Sequence, residues 1–332
     1  MRLFRLSDGV VEMPEKDSAT RAFRSTDTQT ARTAILHLTP SSANETMRFY
    51  SHKNAYASFV VWAGSFLFFD GSKTEQLHHR DFIFIPPGTF YGYRPLSPDS
   101  ELLVVTTLED PAALLEAIND DQDAASRHST KNENPHPEEI DLVDGYRLLD
   151  STKPIEQEEA AVSTYLRPYS LNTATCPRWI FGGAVTRPLV RQSQCEGKFS
   201  ISVMESSHVH KVKPFLDHWL SFTRVDHCFC VIEGTLLTKL KGQTDWTELR
   251  KGQAILIPAR QSFTADVGSE FLKILVITNG IGIDELVCRA GQGYGSTALP
   301  ETVNRWDTWD EIRLRSACSE VGALLDYSSN TD

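Results

Sequence analysis

Two stretches decide the fold: Asp81-Phe-Ile-Phe-Ile-Pro86-Pro87-Gly88 and Gln253-Ala-Ile-Leu-Ile-Pro258-Ala259-Arg260. Each holds a four-residue apolar run closed by proline, and the two lie 172 residues apart. A short apolar run bounded by turn residues reads as a buried strand. A second pair stands upstream, Ala63-Gly64-Ser65-Phe66-Leu67 and Glu233-Gly234-Thr235-Leu236-Leu237, 170 residues apart. Two landmarks repeating at nearly one offset predict a duplicated domain. The flanking runs repeat in the same order: Ala34–Leu38, Ser58–Phe69, Phe82–Ile85 and Glu101–Thr107, then Phe199–Met204, His227–Leu240, Ala254–Ile257 and Phe271–Thr278. Short strands at this spacing belong to sandwiches or barrels.

The copies are separated by a polar, charged, proline-containing segment, which sets the expected organisation: a first barrel over 1–119, a flexible linker over 120–145 and a second barrel over 146–332. Asp110-Pro111 has the cap and first-turn residues of a short helix through Ile118. Trp306–Leu325 predicts a C-terminal helix across a barrel, with Trp309, Ile312, Leu314 and Leu324-Leu325 on its apolar side. The 332 residues are 40% apolar and 23% charged, ordinary globular usage that excludes a coiled coil or a fibrous repeat. Net charge is -11 and no basic run stands out, which argues against a nucleic-acid partner. No run is long and apolar enough for a membrane span. The first nine residues lack a signal-peptide core, so the expectation is a cytoplasmic protein. Its six scattered cysteines then read as reduced thiols. A homodimer is left open.

The repeated segments resemble the cupin family. Its second motif, G-x5-P-x-G-x2-H, is matched by Arg80-x5-Pro86-Pro87-Gly88-Thr89-Phe90-Tyr91 and by Gly252-x5-Pro258-Ala259-Arg260-Gln261-Ser262-Phe263. Two copies resemble a bicupin. Trp179-Ile-Phe-Gly-Gly183, Gly197-Lys-Phe-Ser-Ile-Ser202 and His227-Cys-Phe-Cys-Val-Ile-Glu-Gly234 are similar to fungal bicupins related to quercetin 2,3-dioxygenase. The resemblance implies an all-β fold of two antiparallel double-stranded β-helix (jelly-roll) barrels with a few flanking helices. It also implies a metal held by three histidines and a glutamate, and a setting in secondary metabolism.

This chain departs from that ligand set. Counting back from Gly64, the glutamate position falls on Ala57 and the two histidine positions on Tyr50 and His52; the last histidine falls on Tyr91. Counting back from Gly234, the glutamate position falls on His227, the paired histidines on Leu220 and Phe222 or on Ser221 and Thr223, and the last on Phe263. A transition metal needs about three or more N, O or S donors. One imidazole and two phenols, whose pKa lies near 10, are a poor set. No cofactor is therefore expected, and iron, nickel, copper or manganese belongs to the runner-up reading, in which His37 joins His52.

Strand alternation puts Tyr50 and His52 on one face and Tyr91 and Tyr93 on one face. With Phe59 and Val61 they would form a largely apolar pocket in the first barrel. Histidine titrates near neutrality, and a phenol can donate to a developing oxyanion. The leading expectation is a metal-independent enzyme that cyclises or isomerises an aromatic or polyketide-like small molecule. His52, Tyr50 and Tyr91 would be catalytic, with Phe59, Val61 and Tyr93 binding substrate. The alternatives are a quercetinase-like, metal-dependent ring-cleaving dioxygenase and a non-catalytic ligand-binding bicupin. In the second half, His208-Val-His210, His218 and His227 read as incidental loop and strand histidines, and Gly291-Gln-Gly-Tyr-Gly295 as irregular backbone.

Overall fold

The computed structural model describes residues 2–5, 21–23, 33–38, 47–107, 167–210, 218–296, 298–300 and 310–326. The described strands of the first half are β1 (Arg2–Arg5), β2 (Arg21–Phe23), β3 (Thr33–Leu38), β4 (Arg48–Ser51), β5 (Ala57–Ala63), β6 (Ser65–Phe69), β7 (Thr74–His78), β8 (Asp81–Ile85), β9 (Phe90–Pro95) and β10 (Glu101–Thr106). The second half has β11 (Tyr169–Asn172), β12 (Trp179–Phe181), β13 (Ala184–Val190), β14 (Ser200–Ser207), β15 (Trp219–Phe222), β16 (His227–Leu240), β17 (Thr247–Arg250), β18 (Gln253–Ile257), β19 (Phe263–Thr278), β20 (Gln292–Gly293) and β21 (Ala323–Asp326). Two described helices, α1 (Ile283–Ala290) and α2 (Glu311–Val321), flank the second barrel. The expected linker and the helix after Asp110-Pro111 lie outside the described residues.

The first barrel is two antiparallel sheets face to face, β11-β8-β5-β10-β3-β2 and β4-β9-β6-β7. Their inner faces meet in one core. Phe59, Val61, Ile83, Ile85, Leu102 and Val104 come from the first sheet, and Tyr50, Phe66, Phe68, Tyr91 and Tyr93 from the second. The second barrel is a single curled sheet in which the long strands β16 and β19 pair with each other and bridge to β18 and β14. The outer faces of the two large sheets pack together in a further core, which joins Val60, Phe82, Phe84 and Leu103 to Ile201, Val203, Cys228, Cys230, Leu275 and Ile277. The fold is therefore all-β, with the two back-to-back antiparallel barrels that the bicupin resemblance implies.

The duplication is visible in the backbone. Left-handed residues recur in step: Gly64 (φ 65°) with Gly234 (φ 80°), Gly71 with Gly242 (both φ 94°), Arg80 (φ 76°) with Gly252 (φ 79°), and Gly88 (φ 74°) with Arg260 (φ 67°). The turns have been kept while the side chains between them diverged. The large sheets also exchange strands: β1 pairs with β18 of the second barrel, and β11 pairs with β8 of the first.

Three local expectations are corrected. The run Ser58–Phe69 is two strands in different sheets, turning at Gly64, whereas its counterpart His227–Leu240 is one strand. The C-terminal helix ends at Val321, because Gly322 adopts the left-handed conformation (φ 68°) that closes a helix. The chain beyond it, including Leu324-Leu325, is strand β21 pairing with β15, and Ile312 faces solvent at 82% exposure. Within the glycine-rich stretch, Gln292–Gly293 forms a two-residue strand against Trp179 and Ile180. All six cysteines are free thiols.

Candidate functional site

His52 follows β4, where its carbonyl accepts from the Gly88 amide (2.7 Å). This bond ties the end of β4 to the turn that launches β9. Tyr50 and Tyr91 are direct partners across the β4–β9 ladder. Alternation then brings His52 alongside, and its Nε2 lies 2.7 Å from the Tyr91 hydroxyl. Tyr50, His52 and Tyr91 are thus neighbours in the core of the first barrel. Phe59, Val61 and Tyr93 also belong to this core, and Lys53 points to solvent. The space of the expected apolar pocket is filled with rings. Tyr91 packs against Phe59 (5.4 Å), Tyr50 (5.7 Å) and Phe68 (6.0 Å), and Tyr50 stacks on Tyr93 (5.7 Å).

Burial fixes the charge state of the pair. His52 is 2% exposed, and desolvation lowers its pKa to about 4, so it is neutral at physiological pH. Desolvation, together with Tyr50, raises the Tyr91 phenol well above its usual value. Donor and acceptor strength then gives the tautomer. Among the described residues the Tyr91 hydroxyl has only His52 as a hydrogen-bond partner, and His52 Nδ1 has none. Either direction leaves one buried donor and one acceptor unmet. The phenol O–H is the stronger donor and the bare imidazole nitrogen the stronger acceptor, so Tyr91 donates to Nε2 and the ring proton sits on Nδ1. The site therefore presents one buried N–H inside an aromatic cage.

The second barrel carries the same positions with the chemistry removed. Leu220 pairs with Phe263 as Tyr50 pairs with Tyr91, and Phe222 stands where His52 does. This settles the open choice of register: Leu220 and Phe222 face inward, with Phe229, Val231 and Phe263. His227, at the position of Ala57, is a structural residue. Its Nε2 accepts from the Ile283 amide (3.1 Å), capping α1, and its other nitrogen bonds to the Val225 backbone. Phe222 packs on it at 4.3 Å, and burial lowers its pKa to about 3. Asp226 is occupied elsewhere, by the Ala259 amide and the Asn279 side chain.

The donor set does not fit the metal that the resemblance implies. Ala57 supplies no carboxylate, and His52 Nε2 is taken by a phenol held in its neutral form. Among the described residues no group of three or more His, Cys, Asp or Glu converges. His37 does not join His52, contrary to the runner-up reading. His37 sits opposite Leu103 on the outer face of the sheet and bonds to Glu101 (3.1 Å), whereas its neighbour Leu38 faces the barrel interior. His208 is exposed, with Nδ1 near the Glu270 carbonyl (3.1 Å). The bond that consumes Nε2 and the helix-capping role of His227 had no signal in the sequence, because each depends on a partner distant in the chain.

No family model matches the chain, and no curated protein matches it. Solved structures align with most of its length at low identity. Oxalate decarboxylase from Bacillus subtilis, in a single-site variant, shares 14% identity over 84% of this chain and 77% of its own, with a TM-score of 0.47. Protein Ylba from E. coli shares 11% identity over 83% and 89%, with a TM-score of 0.48. A cupin 2 conserved barrel domain protein from Leptotrichia buccalis shares 10% identity over 83% and 95%, with a TM-score of 0.44. No described helix is long and apolar enough to cross a membrane.

Proposed function

We propose that the first barrel binds a small, planar aromatic or polyketide-like molecule and polarises one of its oxygens without a metal. The observation that carries this is the unpartnered, buried Nδ1–H of His52, backed by Tyr91. A ligand carbonyl or enolate oxygen that accepts from Nδ1–H satisfies that donor, and its ring replaces aromatic contacts already present. Entry displaces some of the packed rings. A neutral imidazole can stabilise a developing enolate by donating, without giving up its proton. His52 acts here as a hydrogen-bond donor: its pKa of about 4 makes it a weak base, and Nε2 is already engaged by Tyr91. The proton lost from carbon goes to water or to a group on the ligand. Tyr91 is a positioning residue that holds the tautomer, and Tyr50 supports Tyr91. Quercetinase-like ring opening is disfavoured, because the residues present make a poor metal site.

The test uses chelator-treated protein and a panel of enolisable aromatic ketones and phenols, with binding and solvent-deuterium incorporation followed by NMR. Saturable binding is expected, weakened at least tenfold in His52→Ala, about 1.4 kcal/mol. Deuterium should enter next to the bound carbonyl, and this exchange should vanish in the same variant. Unchanged binding and exchange in His52→Ala would sink the proposal. A second reading, a ligand-binding protein without turnover, is favoured by one observation: among the described residues the other titratable group acting on Tyr91 is Tyr50, a phenol and not a base. Binding without exchange would select that reading.

A further inference from the structure

We propose that the seam between the barrels holds a second, separate site, for a doubly negative oxyanion, built from Arg178, Arg187 and Lys273 around Glu205. The sheet register assembles it. Glu205 on β14 lies directly opposite Lys273 on β19, and Arg187 on β13 reaches the same carboxylate from the next strand. Arg187 Nη1 donates to Glu205 Oε1 (2.8 Å) and Nη2 to Oε2 (2.6 Å), while Lys273 Nζ lies 2.9 Å from Oε1. Both oxygens of the carboxylate are thus used. Among the described residues Arg178 is held by neutral groups, the carbonyls of Ser296 and Ala174, and it feels the charges of both Arg187 and Glu205.

These four side chains carry three positive charges and one negative. Their residues are 7%, 4%, 4% and 6% exposed, in the order Arg178, Arg187, Lys273, Glu205. Among the described residues the neighbouring charges do not cancel the excess. Glu233, opposite Lys273 on β16, pairs with Arg80 of the first barrel at 3.5 Å, and His79 of that barrel already feels the positive charge of Lys251 and Lys273. Buried like charges of this kind need a counter-ion. Two donors beside the cluster also lack partners among the described residues. Arg187 Nε is buried and unbonded, and so is the hydroxyl of Ser207, which shares the strand face of Glu205 two residues on. A phosphate or a small dicarboxylate supplies the two charges and the acceptor atoms together, and guanidinium groups bind such planar or tetrahedral oxyanions well. Of the residues bonded to Arg178, Tyr294 is partly exposed and Ser296 exposed, so an anion would enter from that side.

The experiment has two arms. Purified protein is denatured, and released anions are quantified by ion chromatography. Anion-stripped protein is then titrated with inorganic phosphate, with malonate or succinate, and with acetate at constant ionic strength, reading thermal unfolding and calorimetric binding. One bound dianion per chain, or a saturable rise in Tm with phosphate or a dicarboxylate but not with acetate, is expected. Whichever dianion binds more tightly identifies the ligand chemistry. Arg178→Gln leaves the Glu205 bonds intact and removes one excess charge, so it should weaken dianion binding at least tenfold. No released dianion together with a non-saturating response, or a saturating response identical in Arg178→Gln, would overturn the proposal.

Discussion

At His52 one proton decides what the first barrel can do. The pairing with Tyr91 requires Nδ1 to be protonated and Nε2 bare, and burial keeps the ring neutral. Imidazole 15N shifts should show that tautomer unchanged from pH 8 down to about pH 5. In Tyr91→Phe the shifts should move toward a tautomer mixture, because Nε2 has lost its donor; an unchanged spectrum would refute the assignment. His227 makes a second residue-scale prediction. Its pKa is about 3 in the folded protein against an ordinary 6.5, so between these values the unfolded chain binds a proton that the folded one does not. Stability is therefore lost as pH falls below 6.5. The loss attributable to His227 between pH 7 and pH 5 is about 2 kcal/mol. Denaturant midpoints in His227→Gln should show a drop smaller by that amount, on top of a constant cost for the lost cap of α1. Asp284 acts in the opposite sense, since burial raises its pKa to about 6, so acidification through that range adds stability. Alternation put Tyr50 with His52 and Tyr91 with Tyr93, and the spacing of the cupin motifs joined the two pairs. Neither could show which nitrogen is occupied, because that depends on the Tyr91 hydroxyl 39 residues away.

Among the elements, the turns were the most legible part of the chain and the strand boundaries the least. Gly64 and Gly234 mark the same left-handed turn, yet at Gly64 the chain leaves one sheet for another, while β16 passes through Gly234 unbroken. Sequence runs cannot register that difference, because both flanks are apolar. The glycines themselves separate two effects. Gly234 and Gly252 have nearly equal φ, 80° and 79°, but a Cβ on Gly234 would lie 1.9 Å from the Phe271 carbonyl, whereas one on Gly252 meets nothing. Gly252→Ala should therefore cost only the left-handed strain, about 1 kcal/mol. Gly234→Ala should cost about 3 kcal/mol or more, because β19 must move away. Urea midpoints compare the two directly, and equal losses would mean that the carbonyl contact is relieved cheaply. The seam cluster had a weaker trace in the sequence: a lone charge inside each of three apolar runs, Arg187, Glu205 and Lys273. Their charges are uninformative singly, and only the register of β13, β14 and β19 brings them to one point.

For the molecule as a whole, duplication was readable from two offsets, whereas the joining of the copies was not. Strand exchange and the shared core make the barrels interdependent. β1 completes an edge of the second sheet, β11 completes an edge of the first, and the Tyr169 hydroxyl on β11 donates to the Leu189 carbonyl across the seam (2.7 Å). Tyr56 meets Phe199 edge to face at 6.5 Å across the same boundary. Neither barrel can unfold without exposing the seam face of the other, so the free energy of that face belongs to both. A chain of two repeats would otherwise be free to melt in two steps. Calorimetry should show one transition, with calorimetric and van't Hoff enthalpies in agreement. Leu275→Ala, at a fully buried seam position, tests the coupling. It removes about 2–5 kcal/mol of packing from an interface that both barrels share. The single transition should move down as a unit. If the barrels are energetically separate, the same variant will instead split the peak, leaving one component at the temperature of the parent.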